Sequence, residues 1–123
     1  LNSPIQNRMN TVFVHVKNLK DSVKWYTNLL GQQYVESEVS LPVYNIQINH
    51  HTGLTLDAGP TSGKKVTPQE YPLFNFHTDD IKAAYHYVQT LNYDITSEIT
   101  EFDDFSFFTI GDPDGHQIMI CTG

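Results

Sequence analysis

A chain of 123 residues with 39% hydrophobic residues, seven glycines and six prolines is sized for one domain with a two-layer core and is too short for two independent ones. Its net charge of −7, from 14 acidic against seven basic side chains with no basic cluster larger than Lys64-Lys65, argues against nucleic acid and anionic membranes as partners; it is compatible with a cationic ligand or simply with a solvated surface. No apolar run approaches a membrane span and residues 1–10 lack a signal-peptide core, so a cytoplasmic protein is expected, and the single Cys121 has no internal disulfide partner.

Residues 1–8 read as a loose lead-in, and 9–123 as a single domain made of a first module (9–57), a linker (58–70) and a second module (71–123). Thr11 to Val16 alternates, with Val12, Val14 and Val16 on one face and Thr11, Phe13 and His15 on the other, as in a strand whose faces are used differently. Asn18 is placed to cap the helix that follows, and Asp21 falls in its first turn, where the helix dipole favours a carboxylate. Leu19, Val23, Tyr26 and Leu30 then recur at helical spacing up to Gly31, and this helix is expected on the valine face. Tyr34 to Glu38, Val43 to Ile48 and Gly53 to Asp57 are strand candidates, parted by Leu41-Pro42 and the polar turn 49–52.

The linker is the stretch richest in turn residues, with Gly59, Pro60, Ser62, Gly63 and Pro68. Its Gly59-to-Lys65 portion superficially suggests a phosphate-binding loop. It is one residue short between the glycines, and Lys65 stands where a magnesium-binding hydroxyl is needed, which rules that reading out.

Beyond the linker the first half is echoed. Leu73 to His77 reads as a strand, Asp80 as a cap, and Ile81, Ala84, Tyr85, Val88 and Leu91 as a second amphipathic helix. His15 and His77, Leu19 and Ile81, and Leu29 and Leu91 are each 62 positions apart, which argues for an internal repeat of half the chain. Tyr93 to Ile99, Phe105 to Ile110 and Gln117 to Cys121 complete the second half, so that each half is β-α-β-β-β. The last two are joined by Asp112-Pro113-Asp114-Gly115, where Pro113 fixes φ and Gly115 takes a left-handed conformation, the signature of a hairpin with a bulge.

The strand-to-helix phrase from Val14 to Gly31, the Asp112-Pro113-Asp114-Gly115 turn and the doubled half together resemble the vicinal oxygen chelate superfamily, the group of glyoxalases, bleomycin-resistance proteins and extradiol dioxygenases. The resemblance implies an α+β fold of two βαβββ modules curling around a shared cavity, often with two chains joined in a homodimer. It also implies a divalent metal held by a His, Gln or Glu from the first and last strand of each module. Carried onto this chain, those positions are Thr11, Leu73, a residue near Thr55, and Met119, five residues after Asp114. None is a usual ligand, and a thioether suits copper(I) rather than the metals of this class.

His50, His51, His86 and His116 are expected at the surface. His15 and His77 share a strand face with the family ligand position and should point toward the cavity or its rim; each is either a hydrogen-bonded strand-end histidine or a functional group. Pairing across a bulge at Gly115 puts Phe105, Phe107 and Thr109 on the side of Met119, whereas a one-residue slip puts Ser106 and Phe108 there. The first register yields a small-molecule cavity of Phe13, His15, Leu73, Asn75, His77, Phe107, Thr109 and Met119, with Phe105 as plain core. The favoured function is a metal-free, bleomycin-resistance-like protein that binds or sequesters a small aromatic or cationic compound, with no cofactor. The alternatives are a metal-dependent lyase, isomerase, dioxygenase or thiol transferase using a divalent metal, a metal-free enzyme with His15 or His77 as general base, and a partner-binding domain whose cavity its own side chains fill.

Overall fold

The computed structural model describes residues 1–61 and 63–123, so Ser62 of the expected linker lies outside the described residues. The alternating opening run forms β1 (Thr11–His15), and Asn18 caps α1 (Leu19–Leu29) by accepting from the Asp21 backbone N–H at 3.1 Å. Gly31, at φ +69°, ends that helix in the left-handed region that a glycine adopts without strain. β2 (Val43–Gln47) and β3 (Gly53–Asp57) follow, and the three strands make one sheet in the order β1-β3-β2, with β1 parallel and β2 antiparallel to β3.

The second half repeats this plan. β4 (Asn75–His77) leads into α2 (Ile81–Thr90), capped by Asp80 through the Ala83 N–H, and then come β5 (Asp94–Ile95), β6 (Thr100–Glu101), β7 (Ser106–Gly111) and β8 (Gln117–Cys121). β4 runs parallel to β8 and β7 antiparallel to it, as β1 and β2 do to β3.

Two expected strands differ. Tyr34 to Glu38 forms a short 3-10 turn at Glu36–Glu38, closed by Glu38 N–H to Val35 O at 3.0 Å. The Glu-Ser-Glu sequence offers no apolar face to a sheet, and only Val39 beyond it is buried. The Tyr93 to Ile99 run keeps only β5, and β6 begins beyond it at Thr100, because Thr96 and Ser97 both donate to the single carbonyl of Thr109, at 2.9 and 3.3 Å, and this bulge interrupts the ladder.

Both helices pack on one side of the sheets. Val14, Val16, Ile46, Leu54 and Leu56 of the first half join Leu19, Val23 and Tyr26 of α1, the α2 residues Ile81 and Val88, and Phe108, Ile110, Ile118 and Ile120 in a single core cluster. Fully buried side chains such as Leu56 and Phe108 each contribute on the order of 2 kcal/mol from removed apolar surface. Tyr93 stacks on Trp25 with ring centroids 4.7 Å apart and donates to its carbonyl at 2.8 Å, which joins the halves on the helical side. Burial pushes the Tyr93 phenol up to about 12. The opposite faces are open, for Thr11, Phe13 and His15 of the first sheet and Leu73, Asn75 and His77 beside the second are all exposed. Among the described residues no helix is long and apolar enough to cross a membrane.

Candidate functional site

The β7-β8 corner joins the two modules. Gly115, at φ +83°, donates to Asp112 O at 2.9 Å, and Asp112 N–H returns to His116 O at 3.0 Å. The buried Asp112 carboxylate then accepts from three donors: Asp114 N–H at 2.9 Å, His116 N–H at 2.8 Å and the Tyr26 hydroxyl of α1 at 2.7 Å. Asp114 accepts from Lys17 N–H at 3.1 Å, just past β1. Burial pushes the Asp112 carboxyl above its ordinary range and outweighs the hydrogen bonds that favour the charged form. The Tyr26 phenol is pushed well above its usual value, first by burial and then by the Asp112 charge.

His116 was expected at the surface and is instead buried, with 4% of its area exposed. Its Nδ1 accepts from Gln69 N–H at 2.9 Å, and its Nε2 donates to His15 O at 2.8 Å, so both nitrogens join the corner to the linker and to β1. Asp112, Asp114 and His116 present donor atoms within 4.8 Å of one another, the spacing of a metal site. Both ring nitrogens and three of the four carboxylate oxygens already have protein partners, so the cluster acts as a joint between modules.

Residues 64–69 of the linker form a strap beside this corner. Lys64 Nζ lies 2.9 Å from His15 Nδ1 and 3.8 Å from Asp57 Oδ1. An ammonium has no acceptor, so His15 Nδ1 accepts and the neutral ring carries its proton on Nε2. At its other end the strap is held through Gln69, whose carbonyl accepts from Gln117 N–H at 2.9 Å. Between strap, β1 and the start of β8 lies a cavity of about 410 Å³. Phe13, Val14, Val66, Leu73, Phe74 and Ile118 give it apolar walls, and His15, Lys64, Lys65, Thr67, Gln69 and Gln117 supply polar groups beside the already bonded His116.

Of the eight residues expected to share a cavity, Phe13, His15 and Leu73 line this one. The others lie on the second sheet. Asn75, Met119 and Thr109 form one cross-strand row and His77, Cys121 and Phe107 the next, which is the register with Thr109 opposite Met119. Phe107 stacks with Phe102 and Phe105 at centroid distances of 6.1 and 6.3 Å. Phe105 is therefore part of a partly exposed aromatic cluster rather than core, because strand alternation gives the inward position to Phe108. His77 donates from Nε2 to Asp79 Oδ1 at 2.7 Å, and that bond is the main reason its pKa is raised. It borders a different cavity, of about 330 Å³, with Phe76, Tyr87 and Val88. The two symmetry-related histidines thus take different partners beside different cavities.

Sequence reasoning missed the strap. Lys64-Lys65 stood out as the largest basic cluster, but nothing local ties it to His15, 49 residues away. The family ligand positions follow the repeat: Phe13 pairs with Thr55 in module one as Asn75 pairs with Met119 in module two, so Thr55 and Met119 are equivalent rungs. The Thr55 hydroxyl is taken up by Asn45 Oδ1 at 2.6 Å, and Leu73 has no donor atom in its side chain.

No curated protein matches the sequence. Among solved structures, the oxidase ChaP-H1 is similar with 20% identity and a TM-score of 0.70, covering 96% of this chain and 97% of that one. The lactoylglutathione lyase from Agrobacterium tumefaciens is similar with 14% identity and a TM-score of 0.71, covering 97% of this chain and 95% of that one. At these identities the likeness concerns the fold. The family described as the Glyoxalase/Bleomycin resistance protein/Dioxygenase superfamily matches residues 8–120, and with the paired modules in place the chain belongs to that superfamily.

Proposed function

We propose that the protein binds or sequesters a small organic molecule without a metal, in the manner of a bleomycin-resistance protein, and that the cavity under the strap is its site. The observation that carries this reading is the cavity itself: about 410 Å³, with mainly aromatic and aliphatic walls and a few polar groups. The donor set supports metal independence. Two threonines, a leucine and a methionine stand at the family positions, one hydroxyl is already bonded, and neither hydrocarbon nor thioether suits a hard divalent cation. The other candidate residues, Asn75, His77, Phe107, Thr109 and Met119, belong in this reading to an open face on which a second copy of the chain rests. Phe13 and Leu73, exposed at 61% and 70%, support such a dimer.

The histidines favour binding over acid-base chemistry. His15 presents an N–H rather than a lone pair once Lys64 occupies Nδ1, and His77 is stabilised in its charged form by Asp79. Thermal shift with a panel of aromatic acids, amines and amides, with chelator present, tests the proposal. A binder at about a hundredfold over its Kd should add about 2.7 kcal/mol of stability, unchanged by chelator, with light scattering giving two chains per particle. Stoichiometric zinc, nickel, manganese or iron in protein purified without chelator, or a panel in which no compound stabilises, would overturn it.

A further inference from the structure

We infer that the ligand of the strap cavity is an apolar acid, an aromatic or branched hydrocarbon body that carries a carboxylate. This rests on the binding reading above and specifies its ligand class. The chain is acidic overall, yet among the described residues none of its 14 carboxylate side chains lines this cavity, whereas two of its seven basic residues, Lys64 and Lys65, do. The sign of the charge at the site is therefore opposite to that of the whole molecule. A cationic ligand, which net charge alone would suggest, meets two ammonium groups on the lining, of which Lys64 has Asp57 behind it and Lys65 has no such partner among the described residues.

The hydrogen-bond inventory points the same way. Lys64 has three N–H donors; one goes to His15 Nδ1 at 2.9 Å, and the ammonium forms an ion pair with Asp57 Oδ1 at 3.8 Å, beyond hydrogen-bond distance, so N–H groups remain without a hydrogen-bond acceptor among the described residues. Lys65 has no ion pair among the described residues. His15, with Nδ1 taken, offers Nε2–H. The charged or aromatic polar groups at this wall are thus donors in want of an acceptor, and His116 is not among them because both its nitrogens are spent. A carboxylate supplies two acceptor oxygens and a negative charge beside the ammonium groups. The remaining walls, Phe13, Val66, Leu73, Phe74 and Ile118, favour a hydrocarbon body, and about 410 Å³ admits a bicyclic one.

Three probes of one shape separate the possibilities: 2-naphthoate, 2-naphthamide and 2-naphthylmethylammonium, titrated calorimetrically into the full chain at low ionic strength with chelator present. The acid should bind about tenfold more tightly than the amide, with the ammonium weakest, and the advantage of the acid should shrink as salt is added. In the double variant Lys64→Gln, Lys65→Gln, acid and amide should fall within about twofold of each other. The melting temperature of the unliganded variant reports that it is folded. Equal binding of acid and amide by the unaltered protein, or tightest binding of the ammonium, overturns the acid assignment and leaves the binding reading standing. A folded double variant that keeps the tenfold preference overturns the role of the two lysines. No binding of any probe overturns the binding reading and this inference with it.

Discussion

The corner at 112–116 and the strap at 64–69 each bring polar side chains from one part of the chain against β1, and they use them in opposite ways. At the corner, Asp112 takes three donors and His116 uses both ring nitrogens, all within a buried joint. Along the strap, Lys64 gives one hydrogen bond to His15 and keeps donors to spare, and Lys65 is exposed. Polar groups that are fully satisfied and dry hold a structure together, whereas groups left with unused capacity at a cavity wall are available to a ligand. The histidines show this most directly: His116 holds β1 by its carbonyl, while His15, on the same strand, keeps an N–H at the cavity.

If that contrast holds, substitutions at the two places should separate widely in stability. Asp112→Ala leaves two backbone N–H groups and the Tyr26 hydroxyl without their acceptor in a buried site and should cost about 3 kcal/mol or more in urea denaturation. A loss under 1 kcal/mol would mean that water replaces the carboxylate and that the corner is no joint.

Asp112→Asn should do much less harm, because its amide oxygen still accepts from the Asp114 and His116 N–H groups, and it sharpens the comparison through pH. The folded protein holds the Asp112 proton more tightly than the unfolded chain does, since burial raises its pKa. The stability from this group is therefore complete below the unfolded value of about 4 and is lost as pH rises through the raised folded value. Urea midpoints followed upward from about pH 4 should fall in the unaltered protein relative to the Asn variant. Parallel profiles would remove the raised Asp112 from the account. Least affected should be the strap double variant Lys64→Gln, Lys65→Gln, whose stability should stay within about 0.5 kcal/mol of the unaltered chain. A larger loss would make the strap a structural brace as well.

The sequence was informative wherever structure depends on neighbours a few residues away. Asn18 and Asp80 cap helices because a side chain three residues before an N–H can reach it, and the alternation from Thr11 to Val16 specifies a strand by period alone. The 62-residue repeat was legible for the same reason, since each copy carries its own strand, cap and helix. The turn at Gly115 favoured, without excluding a one-residue slip, the register that sets Thr109 opposite Met119. The cavity was only partly legible. Phe13, His15 and Leu73 could be placed on faces, but the cavity they border is completed by a strap whose anchors, Lys64 to His15 and Gln69 to His116, span 49 and 47 residues. His116 was misplaced because a residue beside a tight turn is exposed unless something distant covers it, and here the linker does. Net charge is limited in the same manner, since a sum over the chain carries no information about which charges meet at one wall.

The sequence separations across the joint bear on how the molecule is made. The bonds from Tyr26 to Asp112, from Lys17 to Asp114 and from His15 to His116 close loops of 86, 97 and 101 residues, far longer than the 10 residues between paired Thr55 and Asn45. Closing such loops carries an entropic cost that local contacts avoid, so these contacts are expected to form after the strands and helices of each half. The wall of the cavity that β8 provides exists only once that closure is made. Ligand binding during refolding should then appear with the slowest phase rather than with secondary structure, and a ligand added early should speed nothing while trapping every chain that completes the joint.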